Sequence, residues 1–132
     1  MTASVLWYNK VLGLCLKHEA EPNFWPTNPS SPAFLVGGGA NNAVKVALLP
    51  LADPNARIRD HRGAHMAFGV SRAEWERARA ELPTLLKEAQ DVAGGTGSTE
   101  VEEADYGIQW SLFFPDPDNS ILEITTWDIE NI

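Results

Sequence analysis

Cysteine is almost missing from this chain. Cys15 stands alone, so no internal disulfide can form, and its place in an apolar run predicts a buried thiol in a reducing, cytoplasmic setting. Positive charge is also scarce. Ten Lys and Arg against 18 Asp and Glu leave a formal net charge of -8, which argues against nucleic acid and against anionic membranes as partners. The acids are scattered apart from one modest cluster at Glu100, Glu102, Glu103 and Asp105, which reads as solubility charge, although a cationic ligand would also suit it. No apolar run approaches the roughly 20 residues that span a bilayer, and no secretory signal pattern opens the chain. A nucleophile–base–acid series, a glycosidase-type acid pair and a nucleotide fingerprint are all missing.

What is present is best read from residues 106 to 127. Two runs rich in aromatic and β-branched residues flank Pro115-Asp116-Pro117-Asp118-Asn119-Ser120, a concentration of turn formers that predicts a hairpin. Glu123 lies between Leu122 and Ile124 on the second strand, and alternation sends it to the face opposite those neighbours. Such an acid either faces solvent or serves as a metal-binding or catalytic carboxylate in a sheet-lined cavity. By the same alternation Gln109 and Ser111 lie opposite Trp110 and Leu112, and with Tyr106 they are candidates to line that cavity.

Upstream, Ala3, Trp7 and Val11 form a helical stripe that Gly13 stops and Thr2 could cap. Leu14 to Ala20 reads as a strand. Pro22 to Pro32 is too rich in proline for regular structure, and its Phe24 and Trp25 either clamp a hydrophobic cavity or anchor the loop in the core. Phe34-Leu35-Val36 is a strand ending in Gly37-Gly38-Gly39, which lacks the lysine and hydroxyl of a phosphate loop and leads into a turn at Ala40-Asn41-Asn42. Ala43 to Leu51 is a further strand carrying Lys45, and residues 53 to 62 form a polar connector.

In Ala64-His65-Met66-Ala67-Phe68-Gly69-Val70, the residues Met66, Phe68 and Val70 share one face, and His65, Ala67 and Gly69 the other. Ser71-Arg72-Ala73-Glu74 is a capping box, followed by a helix with Trp75, Ala78 and Leu82 on its apolar stripe. Pro83 is expected to kink or restart that helix. A loop at 94–98, strands around 99–103 and 107–114, and a last strand at 120–127 complete the chain.

The second half therefore reads β-α-β-β-β, and the first half is the same unit without its opening strand. The expectation is an α+β chain of one domain, 1–132, with module one at 1–60, module two at 61–132, and curved sheets around a cavity. His65 opens the first strand of module two and Glu123 occupies the last. If those strands are neighbours, imidazole and carboxylate can converge on one divalent ion, Fe, Mn, Ni or Zn. His18, on the first strand, and His61, in the connector, are substitute ligand candidates that read more readily as surface histidines.

Trp7-Tyr8-Asn9-Lys10-Val11-Leu12-Gly13-Leu14, Ala64 to Val70, and Phe113-Phe114-Pro115-Asp116-Pro117-Asp118-Asn119-Ser120-Ile121-Leu122-Glu123 together resemble the signatures of the vicinal oxygen chelate superfamily. That group contains glyoxalase I, bleomycin-resistance proteins, extradiol dioxygenases and fosfomycin-resistance enzymes. Asn119 stands where the family usually has glycine, a mild departure because asparagine tolerates left-handed backbone. The resemblance implies two β-α-β-β-β modules around a U-shaped cavity, a metal held by up to four side chains, and a homodimer. His65 and Glu123 would be the ligands from module two, with Glu123 also catalytic, and Gln109, Ser111, Tyr106 and Trp25 would line the substrate cavity.

In module one, the first-strand ligand would precede Thr2, and the last-strand ligand would fall near Val46, which cannot bind a cation. Three expectations follow from this gap: a start codon further upstream, a ligand donated by a second subunit, or loss of the metal chemistry. Two functions are accordingly expected. One is a metal-dependent lyase or dioxygenase type of enzyme acting on a small oxygenated organic molecule, with antibiotic-resistance relatives; the other is a non-catalytic drug-binding protein of the bleomycin-resistance type.

Overall fold

Gly13, with φ at +67°, closes the first helix, its backbone N–H donating to the Asn9 carbonyl at 2.9 Å, and a left-handed residue of this kind is what glycine supplies most cheaply. The computed structural model of the chain describes residues 1–17, 22–39, 43–50, 65–94 and 97–129. The connector at 53–62, the Asn41-Asn42 turn, His18 and His61 lie outside them. The order of elements is α1 (Thr2–Leu12), β1 (Cys15–Lys17), β2 (Ala33–Gly37), β3 (Val44–Leu48), β4 (Met66–Gly69), α2 (Arg72–Ala93), β5 (Glu102–Asp105), β6 (Trp110–Pro115) and β7 (Ile121–Thr126). The fold is α+β, with one three-stranded and one four-stranded sheet among the described residues. The chain divides into two compact units, Met1–Ala56 with Glu88–Gly94, and Arg57–Lys87 with Gly95–Ile132.

In the first unit α1 buries Trp7, Tyr8 and Val11, and β1, β2 and β3 pair antiparallel in that order. Thr2 does not cap α1; Met1 occupies the cap position without a side-chain hydrogen bond, and Thr2 is the first helical residue. Cys15 is exposed rather than buried. The helix-ending turn at Gly13 gives the inward place to Leu14, so Cys15 and Lys17 point outward on either side of Leu16. Gly37 accommodates that turn, because a Cβ there would stand 2.6 Å from Leu14 Cδ2. Val46 is buried and faces the same way as its partner Leu35, while Lys45 is exposed. Phe24 packs edge-on against Phe34 at 4.9 Å between centroids, and Trp25, partly buried beside it in sequence, donates its backbone N–H to the Pro32 carbonyl at 3.1 Å.

The second unit has the strand order β4-β7-β6-β5, with β4 parallel to β7 and the other pairs antiparallel. The capping box forms: Glu74 N–H donates to Ser71 Oγ at 3.2 Å, and Ser71 N–H donates to Glu74 Oε2 at 3.1 Å. Pro83 neither breaks nor restarts α2, which runs unbroken from Arg72 to Ala93 with Pro83 exposed. The buried stripe Trp75, Leu82, Leu86 and Ala89 carries the helix across it. Trp75 meets Trp110 of β6 at 5.3 Å, and Arg79 pairs with Glu103 of β5, so α2 lies on the sheet face that bears Trp110, Leu112, Leu122 and Ile124.

The β6–β7 hairpin is built by Asp116, whose Oδ1 accepts from Asp118 N–H at 2.9 Å and Ser120 N–H at 2.8 Å. Asn119 then takes φ of +67°. This turn fixes the register Phe113↔Glu123 and Ser111↔Thr125, which decides what surrounds Glu123.

Candidate functional site

Alternation and register together put one set of polar side chains on the second unit's other face. Glu123 lies opposite Phe113 on β6 and Ala67 on β4; Thr125 lies opposite Ser111 and Gly69. His65 immediately precedes β4, on the same side as Ala67 and Gly69 by the two-residue period. Because Ala67 and Gly69 are small, no β4 side chain on this face crowds the carboxylate, and His65 just ahead of the strand reaches it.

The result is a network centred on Glu123, whose side chain is only 6% exposed. His65 Nε2 stands 2.7 Å from Glu123 Oε1, with the imidazole 34% exposed and its ring edge-on to Phe113. Ser111 Oγ donates to Glu123 Oε2 at 2.6 Å, and Gln109 Nε2 donates to the same oxygen at 2.9 Å. Gln109 Nε2 also lies 3.0 Å from Ser111 Oγ. Thr125 Oγ1 donates to the Trp110 carbonyl at 3.0 Å and sits 3.2 Å from Ser111 Oγ. Burying a carboxylate is costly unless it is well bonded, and here Oε1 meets His65 while Oε2 takes two donors.

Of the residues singled out in the sequence, His65, Glu123, Gln109 and Ser111 come together. Tyr106 is 60% exposed at the β5–β6 turn, where its N–H donates to the Gln109 carbonyl. Trp25 belongs to the other unit. One residue was not singled out: Thr125 adjoins the network at Ser111 without touching Glu123, and alternation from Glu123 could have found it.

The separation of the pair bears on whether it can hold a divalent ion. Two nitrogen or oxygen ligands at about 2.1 Å from a metal, subtending 90–109°, are about 3.0–3.4 Å apart. His65 Nε2 and Glu123 Oε1 need separate by only a few tenths of an ångström from their present contact to reach that span. The donors on Oε2 meanwhile resemble the outer partners that orient ligating carboxylates. The pair therefore fits two ligands of a metal. Among the described residues no group of three or more His, Cys, Asp or Glu side chains gathers, so any further ligands come from elsewhere.

No protein-family model matches the sequence, and no curated protein matches it. Solved structures do match. A glyoxylase/bleomycin resistance protein/dioxygenase domain from Frankia sp. EAN1pec aligns over 96% of this chain and 82% of its own, at 20% identity and a TM-score of 0.61. A glyoxalase/dioxygenase from Nostoc punctiforme aligns over 98% and 84%, at 20% identity and a TM-score of 0.59. The fosfomycin resistance protein FosX from Listeria monocytogenes, a mutant solved with Mn(II) and 1S,2S-dihydroxypropylphosphonic acid, aligns over 96% and 82%, at 14% identity and a TM-score of 0.56. The chain thus has the fold shared by these glyoxalase/dioxygenase and fosfomycin-resistance proteins.

Proposed function

We propose that the protein is a divalent-metal-dependent enzyme acting on a small oxygenated organic molecule, with His65 and Glu123 as metal ligands. The observation that supports this reading most is the division of labour on Glu123. One buried carboxylate oxygen is saturated by Ser111 and Gln109, and the other is held against the half-exposed imidazole of His65. A bound Fe, Mn, Ni or Zn ion would supply Lewis acidity toward vicinal substrate oxygens. Glu123 contributes negative charge from a fixed position, and His65 contributes a neutral nitrogen from the open side. Gln109 and Ser111 keep the carboxylate aimed, and the half-exposed His65 leaves a way in for substrate.

The remaining ligands are proposed to come from water, substrate or a second copy of the chain. Among the described residues the outer edge of β3 is unpaired, whereas the corresponding edge of β7 is covered by β4, and an open edge favours association as a homodimer. A cytoplasmic setting is proposed from the single cysteine. No helix of the described residues is long and apolar enough to cross a membrane.

A second reading, a non-catalytic binder of aromatic cations, draws on the exposed Tyr106 and Trp127 and on the net charge of -8. Metal analysis separates the two. Stoichiometric metal that disappears in His65→Ala and Glu123→Ala supports the enzyme; metal-free wild-type protein that binds an aromatic cation supports the binder.

A further inference from the structure

The hydroxyl of Ser111 has only one proton, and its neighbours decide where that proton goes. Gln109 Nε2, a donor only, lies 3.0 Å away and occupies one lone pair of Ser111 Oγ. Thr125 Oγ1 lies on another side, but its own proton is directed to the Trp110 carbonyl. The strongest acceptor in reach is Glu123 Oε2, at 2.6 Å. Ser111 is 0% exposed, so water does not compete for it. Its direction is set by β6–β7 register, which puts Thr125 directly across from it.

We infer that Ser111, seconded by Gln109, is a positioning residue that holds the Glu123 carboxylate by Oε2 and so leaves Oε1 to His65 and to whatever His65 and Glu123 jointly bind. The consequence for metal binding rests on the function proposed above; the consequence for the orientation of Glu123 does not. Ser111→Ala removes the shortest contact to the carboxylate without touching His65 or Glu123. Outer partners of metal ligands typically change metal affinity by about 10–100-fold when removed. Thr125→Val is the matched control, because it deletes a buried hydroxyl of the same network that does not contact Glu123.

The experiment pairs crystal structures of the metal-free wild-type, Ser111→Ala and Thr125→Val proteins with Mn(II) titration of each by calorimetry. In the crystals the carboxylate of Glu123 is expected to leave His65, or to take two orientations, in Ser111→Ala only. In the titration Ser111→Ala is expected to weaken Mn(II) at least 10-fold, and Thr125→Val less than about 3-fold. A Glu123 carboxylate that keeps its contact with His65 in Ser111→Ala overturns the inference. So do equal losses of affinity in the two variants, since those indicate a general packing effect. Wild-type protein that takes up no Mn(II) overturns the metal reading alone, and the crystal structures then decide the role of Ser111.

Discussion

His65 Nε2 and Glu123 Oε1 meet at 2.7 Å across an unequal boundary, with the imidazole 34% exposed and the carboxylate side chain 6% exposed. Parallel pairing of β4 with β7 creates this meeting, because it brings the start of one strand beside the middle of another separated by a whole helix and two further strands. The two partners should respond differently to removal.

Glu123→Ala takes from the buried Ser111 hydroxyl and from Gln109 their shared carboxylate acceptor, and from His65 its partner, and is expected to destabilise the protein by about 1–3 kcal/mol. His65→Ala removes a partly solvated ring and is expected to cost less, about 1 kcal/mol or below. Urea unfolding of both variants checks the order; equal losses would mean that the donors on Oε2 contribute little.

The capping box predicts a separate effect at the end of β4 opposite from His65. Ser71→Ala removes the acceptor for Glu74 N–H and is expected to cost about 1 kcal/mol, with no change in metal binding. Thermal unfolding with a parallel Mn(II) titration checks both parts.

Pro83 lies inside α2 yet on its exposed side. An interior proline cannot donate to the carbonyl four residues earlier, here that of Arg79, and crowds it. Pro83→Ala is expected to stabilise the protein by about 1–3 kcal/mol, seen as a higher urea midpoint with an unchanged slope.

Asn119 supplies a further contrast at φ +67°. Asn119→Ala is expected to cost about 1 kcal/mol, because a Cβ without a hydrogen-bonding side chain is disfavoured there, and Asn119→Gly is expected to be near neutral. Equal costs in denaturant unfolding would show that the side chain of Asn119, rather than its backbone, matters to the turn.

What the sequence makes legible is local chemistry. Asp116 to Ser120 carries its own turn, Ser71 and Glu74 their own cap, and Leu122-Glu123-Ile124 their own alternation, so each can be read within a few residues. The meeting of His65 with Glu123 needs neighbouring strands, a nonlocal fact that the sequence supplies only through resemblance and the order of elements. Alternation places Gln109 and Ser111 on the side of Glu123, but only register reveals that both reach one oxygen of its carboxylate. Cys15 and Pro83 mislead for related reasons. Composition makes a cysteine in an apolar run look buried, although the turn at Gly13 hands that place to Leu14; and proline propensity is outweighed by the stripe Trp75, Leu82, Leu86 and Ala89.

Metal binding by the pair is the central claim, and calorimetric titration of Mn(II) into wild-type and Glu123→Ala protein tests it most directly. About one ion per chain is expected for wild type, with affinity lost or weakened at least 100-fold in Glu123→Ala. Wild-type protein that takes up no ion, or Glu123→Ala protein that binds as tightly as wild type, would contradict it.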